Sequence, residues 1–294
     1  MMDFFKSQEG KAEILDLYDR KLESLELEVE SQTVETAFGR THVLVTGPKD
    51  GPPLMIVHGS NGCAPIAFET YPNLAKQFRV YAVDVLAQPN RSQGVRMSMS
   101  DDSYGQWMNE LLGKLNLQSV VLVGFSFGGL VILKTLENDE SRIQEVFLAA
   151  PAYIANGNPL KAMFKMFIPM KRYMKTLNRK YVDRFLAEIF TARDEFAMAY
   201  LPAVFQHFEM DFTPVPTIAT AAAQQIQTPI HLFGAGQDLI FPGRKVLKRA
   251  QKIFPSLKSA VLLESSKHVQ NRVDNDRIEQ AVLASFQITL GSLK

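Results

Sequence analysis

The chain has 294 residues, 46% of them hydrophobic and 21% charged, with a net charge of +1. That is globular composition, long enough for one large α/β domain with an insertion or for two domains. It offers no global field for nucleic acid, no disulfide framework or Cys-rich metal site from its lone Cys63, and no apolar run near the ~18 residues of a membrane span.

The first 21 residues carry charges every few positions, unlike a signal peptide, so a cytoplasmic protein is the default expectation. Ile14, Tyr18, Leu22 and Leu25 recur at helical spacing between acidic residues. This predicts an amphipathic helix within residues 1–30, packed on a core. Segments 33–38 and 41–46 read as strands joined at Gly39-Arg40, a hairpin. Residues 54–57 form a short buried strand, 64–78 a helix with Pro65 in its first turn, and 80–85 a second buried strand. Asp101 and Asp102 open a helix to residue 115, their charge favouring its N-terminus.

Residues 119–129 read Ser-Val-Val-Leu-Val-Gly-Phe-Ser-Phe-Gly-Gly. An apolar strand runs into Gly124-Phe125-Ser126-Phe127-Gly128, and helix formers follow. That is a strand, a sharp turn with a serine at its apex, and a helix, the context a G-x-S-x-G motif requires. A Gly-rich phosphate cradle would need Gly-x-Gly or Gly-Lys-Ser/Thr, which is missing. Strands at 146–149, 229–233 and 260–263 follow, with helices at 243–254 and 276–290. Strands alternating with helices predict a mostly parallel sheet with helices on both faces, and the opening hairpin adds antiparallel strands at one edge. The core therefore comprises 31–151 and 229–294.

Residues 152–228 contain no clear strand and read as a helical insertion over the carboxyl end of the sheet. Met163, Phe164, Met166, Phe167, Met170, Tyr173, Met174 and Tyr181 alternate with Lys161, Lys165, Lys171, Arg172, Lys175, Arg179, Lys180 and Arg184. The Met-rich side either lines an acyl or aromatic pocket or seals a lid onto the core. The basic side reads as a solvated face, set opposite the acidic first helix, with an anionic membrane surface as the alternative.

A serine hydroxyl needs an adjacent base, and the base an anchor. Of five histidines, His268 alone follows the last strand in a polar loop, where a parallel sheet places its chemistry. Asp238 lies in the turn after the 229–233 strand and fits the anchor. Asp84, which also ends a strand, is the rival, and reads as a structural carboxylate bound by backbone N–H groups. The backbone N–H groups of Phe127 and of Ser60, in the His58-Gly59-Ser60-Asn61-Gly62 loop, are candidate oxyanion donors. His58 reads as shaping that loop.

The order Ser126, Asp238, His268, with His58-Gly59 upstream, resembles the α/β-hydrolase superfamily, closest to its lidded carboxylesterase-like members. The resemblance implies an eight-stranded sheet, a helical lid after the sixth strand, and no cofactor or metal. It carries nucleophile, acid and base onto Ser126, Asp238 and His268, and the oxyanion donors onto Ser60 and Phe127. It implies a serine hydrolase acting on carboxylic esters of small molecules through an acyl-enzyme. Thioester, lactone, amide or carbon–carbon cleavage on the same residues, or a slow-turnover ligand receptor, are the alternatives. Nothing in the pattern specifies an oligomer. Two departures stand out: Lys267 replaces the family's glycine before the histidine, and Ala87 and Asn90 replace two glycines ahead of Ser92.

Overall fold

Leu54 to Val57 and Val120 to Val123 are continuous apolar runs, and nearly every side chain in both is buried. Strands that read this way must be covered on both faces. In the computed structural model, which describes residues 4–292 with side chains through residue 286, they are adjacent central strands. The elements in chain order are α1 (Gln8–Glu23), β1 (Glu30–Thr36), β2 (Gly39–Thr46), β3 (Pro53–Val57), α2 (Ala64–Thr70), β4 (Arg79–Val83), β5 (Gln93–Gly94), α3 (Ser103–Lys114), β6 (Val120–Phe125), α4 (Phe127–Asn138) and β7 (Ile143–Ala149). Five helices follow, α5 (Pro159–Ala162), α6 (Ile168–Thr176), α7 (Arg179–Ile189), α8 (Glu195–His207) and α9 (Thr220–Ala223), with a π-helical turn, Met163–Phe167, between α5 and α6. The chain ends in β8 (Ile230–Ala235), α10 (Gly243–Ile253), β9 (Leu257–Leu263) and α11 (Arg272–Ser292).

The sheet runs β1-β2-β4-β3-β6-β7-β8-β9. β1, β2 and β4 pair antiparallel, and every pair from β4 onward is parallel. The eight strands expected lie on this path, and the two-residue β5 adds a ninth against β2. Alternate side chains of the central strands enter two separate cores. Met55, Val57 and Leu122 join α3, α4, α9 and α10, while Leu54, Ile56, Val121 and Val123 join α1, α2, α6, α7, α8 and α11. The chain leaves β3 for β4 on one side, then returns past it to β6 on the other. The carboxyl ends of β3 and β6 therefore flank a topological switch point, where open α/β sheets bind ligands.

Three local expectations change. The helix expected over 64–78 stops at Thr70, and only a 3₁₀ turn, Leu74–Lys76, follows. Pro72 is the cause: it has no N–H to donate and forces Tyr71 out of the helical region, to φ −133° and ψ 64°. The helix expected from Asp101 starts at Ser103, because the Asp101 carboxylate turns the chain by accepting from the Ser103 N–H and hydroxyl. The last helix begins at Arg272, four residues earlier than expected (276 − 272), with Asn271 accepting from the Asp274 N–H as a cap.

Candidate active site

Val57 of β3 pairs with Gly124 of β6, so the segments after both strands emerge side by side. Ser126 follows with φ 53° and ψ −113°, a region that L-residues seldom adopt. The flanking glycines make this possible. A Cβ on Gly128 would lie 2.1 Å from the Val57 carbonyl oxygen, and one on Gly124 2.6 Å from Ile132 Cδ1. The turn is held by the Ser126 N–H donating to the Ala149 carbonyl, while the Ser126 carbonyl accepts from Gly129 and Ala152.

Three loops meet at that hydroxyl. His268 Nε2 lies 2.8 Å from Ser126 Oγ, and His268 Nδ1 lies 2.7 Å from Asp238 Oδ2. All three residues are buried. The second Asp238 oxygen accepts from the N–H groups of Ile240 and Phe241, which fixes the carboxylate plane. The Phe125 and Phe241 rings pack against the imidazole, with centroids at 5.2 and 5.6 Å.

Phe127 opens α4, so its N–H has no intrahelical acceptor. The Ser60 N–H likewise has no partner among the described residues, whereas its neighbours are committed: Asn61 N–H donates to Gln88 Oε1 and Gly62 N–H to the Gly59 carbonyl. Ser60 and Phe127 line one small cavity, about 60 Å³, with Met99, Tyr104 and Val215 as apolar wall and Gln88, Arg96 and Asp211 as polar wall. Tyr104 meets the Phe127 ring edge-on at 5.3 Å. These wall residues come from α3, the 84–99 loop and the exit of the helical segment. Nothing in their local sequence marks them, because only tertiary contact brings them to the site.

The remaining histidines are occupied elsewhere. Burial holds His58 below its ordinary pKa, so it stays neutral; Nδ1 meets the Gly59 carbonyl at 2.7 Å and Nε2 accepts from the Val85 N–H. His207 faces Glu13, and His231 stacks on Phe147 between Ser259 and Glu145. His42 is more instructive, since Ser31 Oγ, His42 and Asp84 repeat the order hydroxyl–imidazole–carboxylate at 2.8 and 2.8 Å. Asp84 also accepts from the Tyr18 hydroxyl and the Ala64 N–H, tying α1, β2 and the start of α2 together. Ser31 lies on an extended edge strand, with no strained turn. The rival carboxylate thus serves as a tie for the loop that carries Ser60.

The two departures are also resolved. Lys267 directs its ammonium to the Ala187 carbonyl at the end of α7, away from the imidazole, and its N–H donates to Thr191 Oγ1. Phe190 bridges Val269, so the His268 loop is strapped to the helical segment. In the other loop Ala87 takes the left-handed conformation, φ 55°. Asn90 acts through its side chain, donating to the Val85 carbonyl and accepting from the Ser92 N–H.

Between β7 and β8 the methionines divide. Met166 and Met170 are buried with Tyr173 in the core, Met163 is exposed, and none of them lines the cavity beside Ser60 and Phe127. The basic residues do not face the acids of α1. α8 lies there instead, and Asp16, Asp19 and Glu13 of α1 pair with Arg20, Arg91 and His207.

The sequence pattern described as the alpha/beta hydrolase fold matches residues 52–199. The chain belongs to the α/β-hydrolase family. It is 32% identical over 151 residues to carboxylesterase YbfK of Bacillus subtilis (strain 168), and 27% identical over 135 residues to the uncharacterized carboxylesterase nap of the same organism. These alignments cover 50% and 46% of this chain, and 50% and 45% of the relatives, about half their length. The crystal structure of naproxen esterase (carboxylesterase NP) from Bacillus subtilis superposes with a TM-score of 0.80 over 96% of this chain and 99% of that one, at 19% identity. That of carboxylesterase CesB (YbfK) gives 0.77 over 94% and 98%, at 20% identity. The structural likeness shows that the α/β-hydrolase fold extends over nearly the whole chain.

Proposed function

We propose that this α/β-hydrolase is a serine hydrolase that cleaves carboxylic esters of small molecules. The observation that carries the reading is the unbroken contact from Ser126 through His268 to Asp238, buried near the Ser60 and Phe127 N–H groups, for which no acceptor is seen among the described residues. Two relatives that bear the name carboxylesterase support it.

In this reading Ser126 Oγ attacks the ester carbonyl carbon while His268 Nε2 takes its proton. Asp238 holds the imidazole with its Nδ1 proton inward and stabilises the imidazolium. The oxygen that becomes negative sits between the Ser60 and Phe127 N–H groups. Collapse of the tetrahedral intermediate breaks the bond to the alcohol, which leaves with the proton from His268. Water then attacks the acyl-serine while His268 accepts its proton; collapse breaks the bond to Ser126 Oγ, His268 returns the proton to that oxygen, and the acid departs. If the small cavity that Ser60 and Phe127 line receives the acyl group, its size favours short chains.

The test is a chain-length series of nitrophenyl esters with fluorophosphonate labelling. Wild type should be labelled and should turn over the short esters. Ser126→Ala should lose labelling, and Asp238→Asn should lower kcat by about 10⁴-fold by stabilising the wrong tautomer. Full turnover by Ser126→Ala would refute the assignment. A burst of one equivalent followed by almost no turnover would instead mark a ligand receptor.

A further inference from the structure

Apolar residues spaced i, i+3, i+4 and i+7 normally face a core. Leu160, Met163, Phe164 and Phe167 have that spacing, yet they point to solvent, with Leu160 63% and Phe164 60% exposed. The opposite side of the same helical run is the one that is buried, through Met166, Met170 and Tyr173. Phe212, also exposed, meets Phe167 at 6.3 Å between ring centroids and widens the stripe. Five of the ten large apolar side chains exposed among the described residues therefore gather on one outer face.

The charge around this stripe is as uneven as its hydrophobicity. Residues 146–182 contain seven lysines and arginines and no aspartate or glutamate, in a chain whose net charge is +1. All seven basic residues are exposed. Lys165 pairs with Glu188 and Arg179 donates to the Met198 carbonyl, but Lys161, Lys171 and Lys175 have no ion pair among the described residues.

We propose that this face docks on an anionic lipid surface. Apolar side chains at the crest enter the acyl boundary, while the long basic side chains beside them reach the phosphates. Charge complementarity selects this occupant: an apolar partner would be served by the stripe alone, and would gain nothing from a surround in which basic side chains outnumber the nearby acids Glu188 and Asp211. The helix lies on the surface and does not cross it, since no helix among the described residues is long and apolar enough to span a membrane. The inference is independent of the chemistry proposed for Ser126.

The experiment is cosedimentation of the full chain with vesicles of phosphatidylcholine alone or with about 30% phosphatidylglycerol. Wild type should bind the anionic vesicles at least about tenfold more tightly than the neutral ones, and lose this preference near 0.5 M salt. Each lysine near such a surface is worth roughly a factor of five, so Lys161→Gln/Lys171→Gln/Lys175→Gln should weaken binding by about 10²-fold. Phe164→Ser/Phe167→Ser should release the protein even at low salt. Neither variant alters a residue at the Ser126 site, so unchanged thermal unfolding controls for folding. Equal binding to both vesicle types, no binding by folded wild type, or full binding by both variants would overturn the proposal. So would self-association, seen by light scattering, that Phe164→Ser/Phe167→Ser abolishes without any wild-type vesicle binding.

Discussion

Ser126 is held at φ 53° and ψ −113°, and this strain can be weighed directly by comparing Ser126→Gly with Ser126→Ala. Both variants lose the hydroxyl and its 2.8 Å contact with His268, so that loss cancels between them. What remains is the Cβ. A non-glycine residue in so sparsely populated a region costs about 1–3 kcal/mol, which glycine removes. Glycine also has a more disordered unfolded chain, which offsets about 0.4–1 kcal/mol. The net expectation is that Ser126→Gly is more stable than Ser126→Ala by about 1.3 kcal/mol at the centre of these ranges, and by at most about 2.6 kcal/mol. For a chain of this size that corresponds to roughly 2 °C in Tm, and at most about 4 °C. Urea and thermal unfolding followed by circular dichroism measure it, with fluorophosphonate labelling to show that both variants are inert. If Ser126→Ala proved as stable as Ser126→Gly, the turn would be unstrained, and the case that its geometry is sustained by surrounding packing for the sake of the proposed nucleophile would fall.

Asp84→Ala removes a fully buried carboxylate that binds His42, the Tyr18 hydroxyl and the Ala64 N–H. Three lost bonds at roughly 1–1.5 kcal/mol each predict a destabilisation of about 3–5 kcal/mol in urea. Acid should act through His58. Its folded pKa is depressed by burial below 6.5, so the unfolded chain takes up the proton first as pH falls. The contribution is fully present above pH 6.5 and is lost as pH drops toward the folded value, at up to about 1.4 kcal/mol per pH unit. Urea midpoints measured across this range should fall less steeply for His58→Gln, and identical slopes would exclude His58 as the source. Gly128→Ala sets a Cβ 2.1 Å from the Val57 carbonyl oxygen, so either β3 or the turn must move. It should cost at least about 2–3 kcal/mol and abolish serine labelling, and a stable, labelled Gly128→Ala would show that the two strands are not in register there.

The strand-turn-helix at 120–138 was readable because each part has a local cause: an apolar run, glycines where a Cβ cannot fit, and helix formers without interruption. The same holds for the paired opening strands and for the absence of strands between 152 and 228. Segment ends were less readable. The helix at 64–70 ends because Pro72 restricts Tyr71, a residue that otherwise fits the helical pattern. Asp238 and Asp84 both follow strands, and the structure separates them by what reaches each carboxylate.

Local sequence thus determined the alternation of strands and helices and the class of chemistry that a serine at a glycine-flanked turn can support. Only tertiary structure decided which imidazole and which carboxylate meet that serine, 142 and 112 residues away in sequence (268 − 126 and 238 − 126). It also decided that the Met-rich helix buries one apolar side and presents the other to solvent. The physical reason is range: backbone preferences act over a few residues, whereas a hydrogen bond across loops exists only after the sheet has brought the ends of β6, β8 and β9 to one rim.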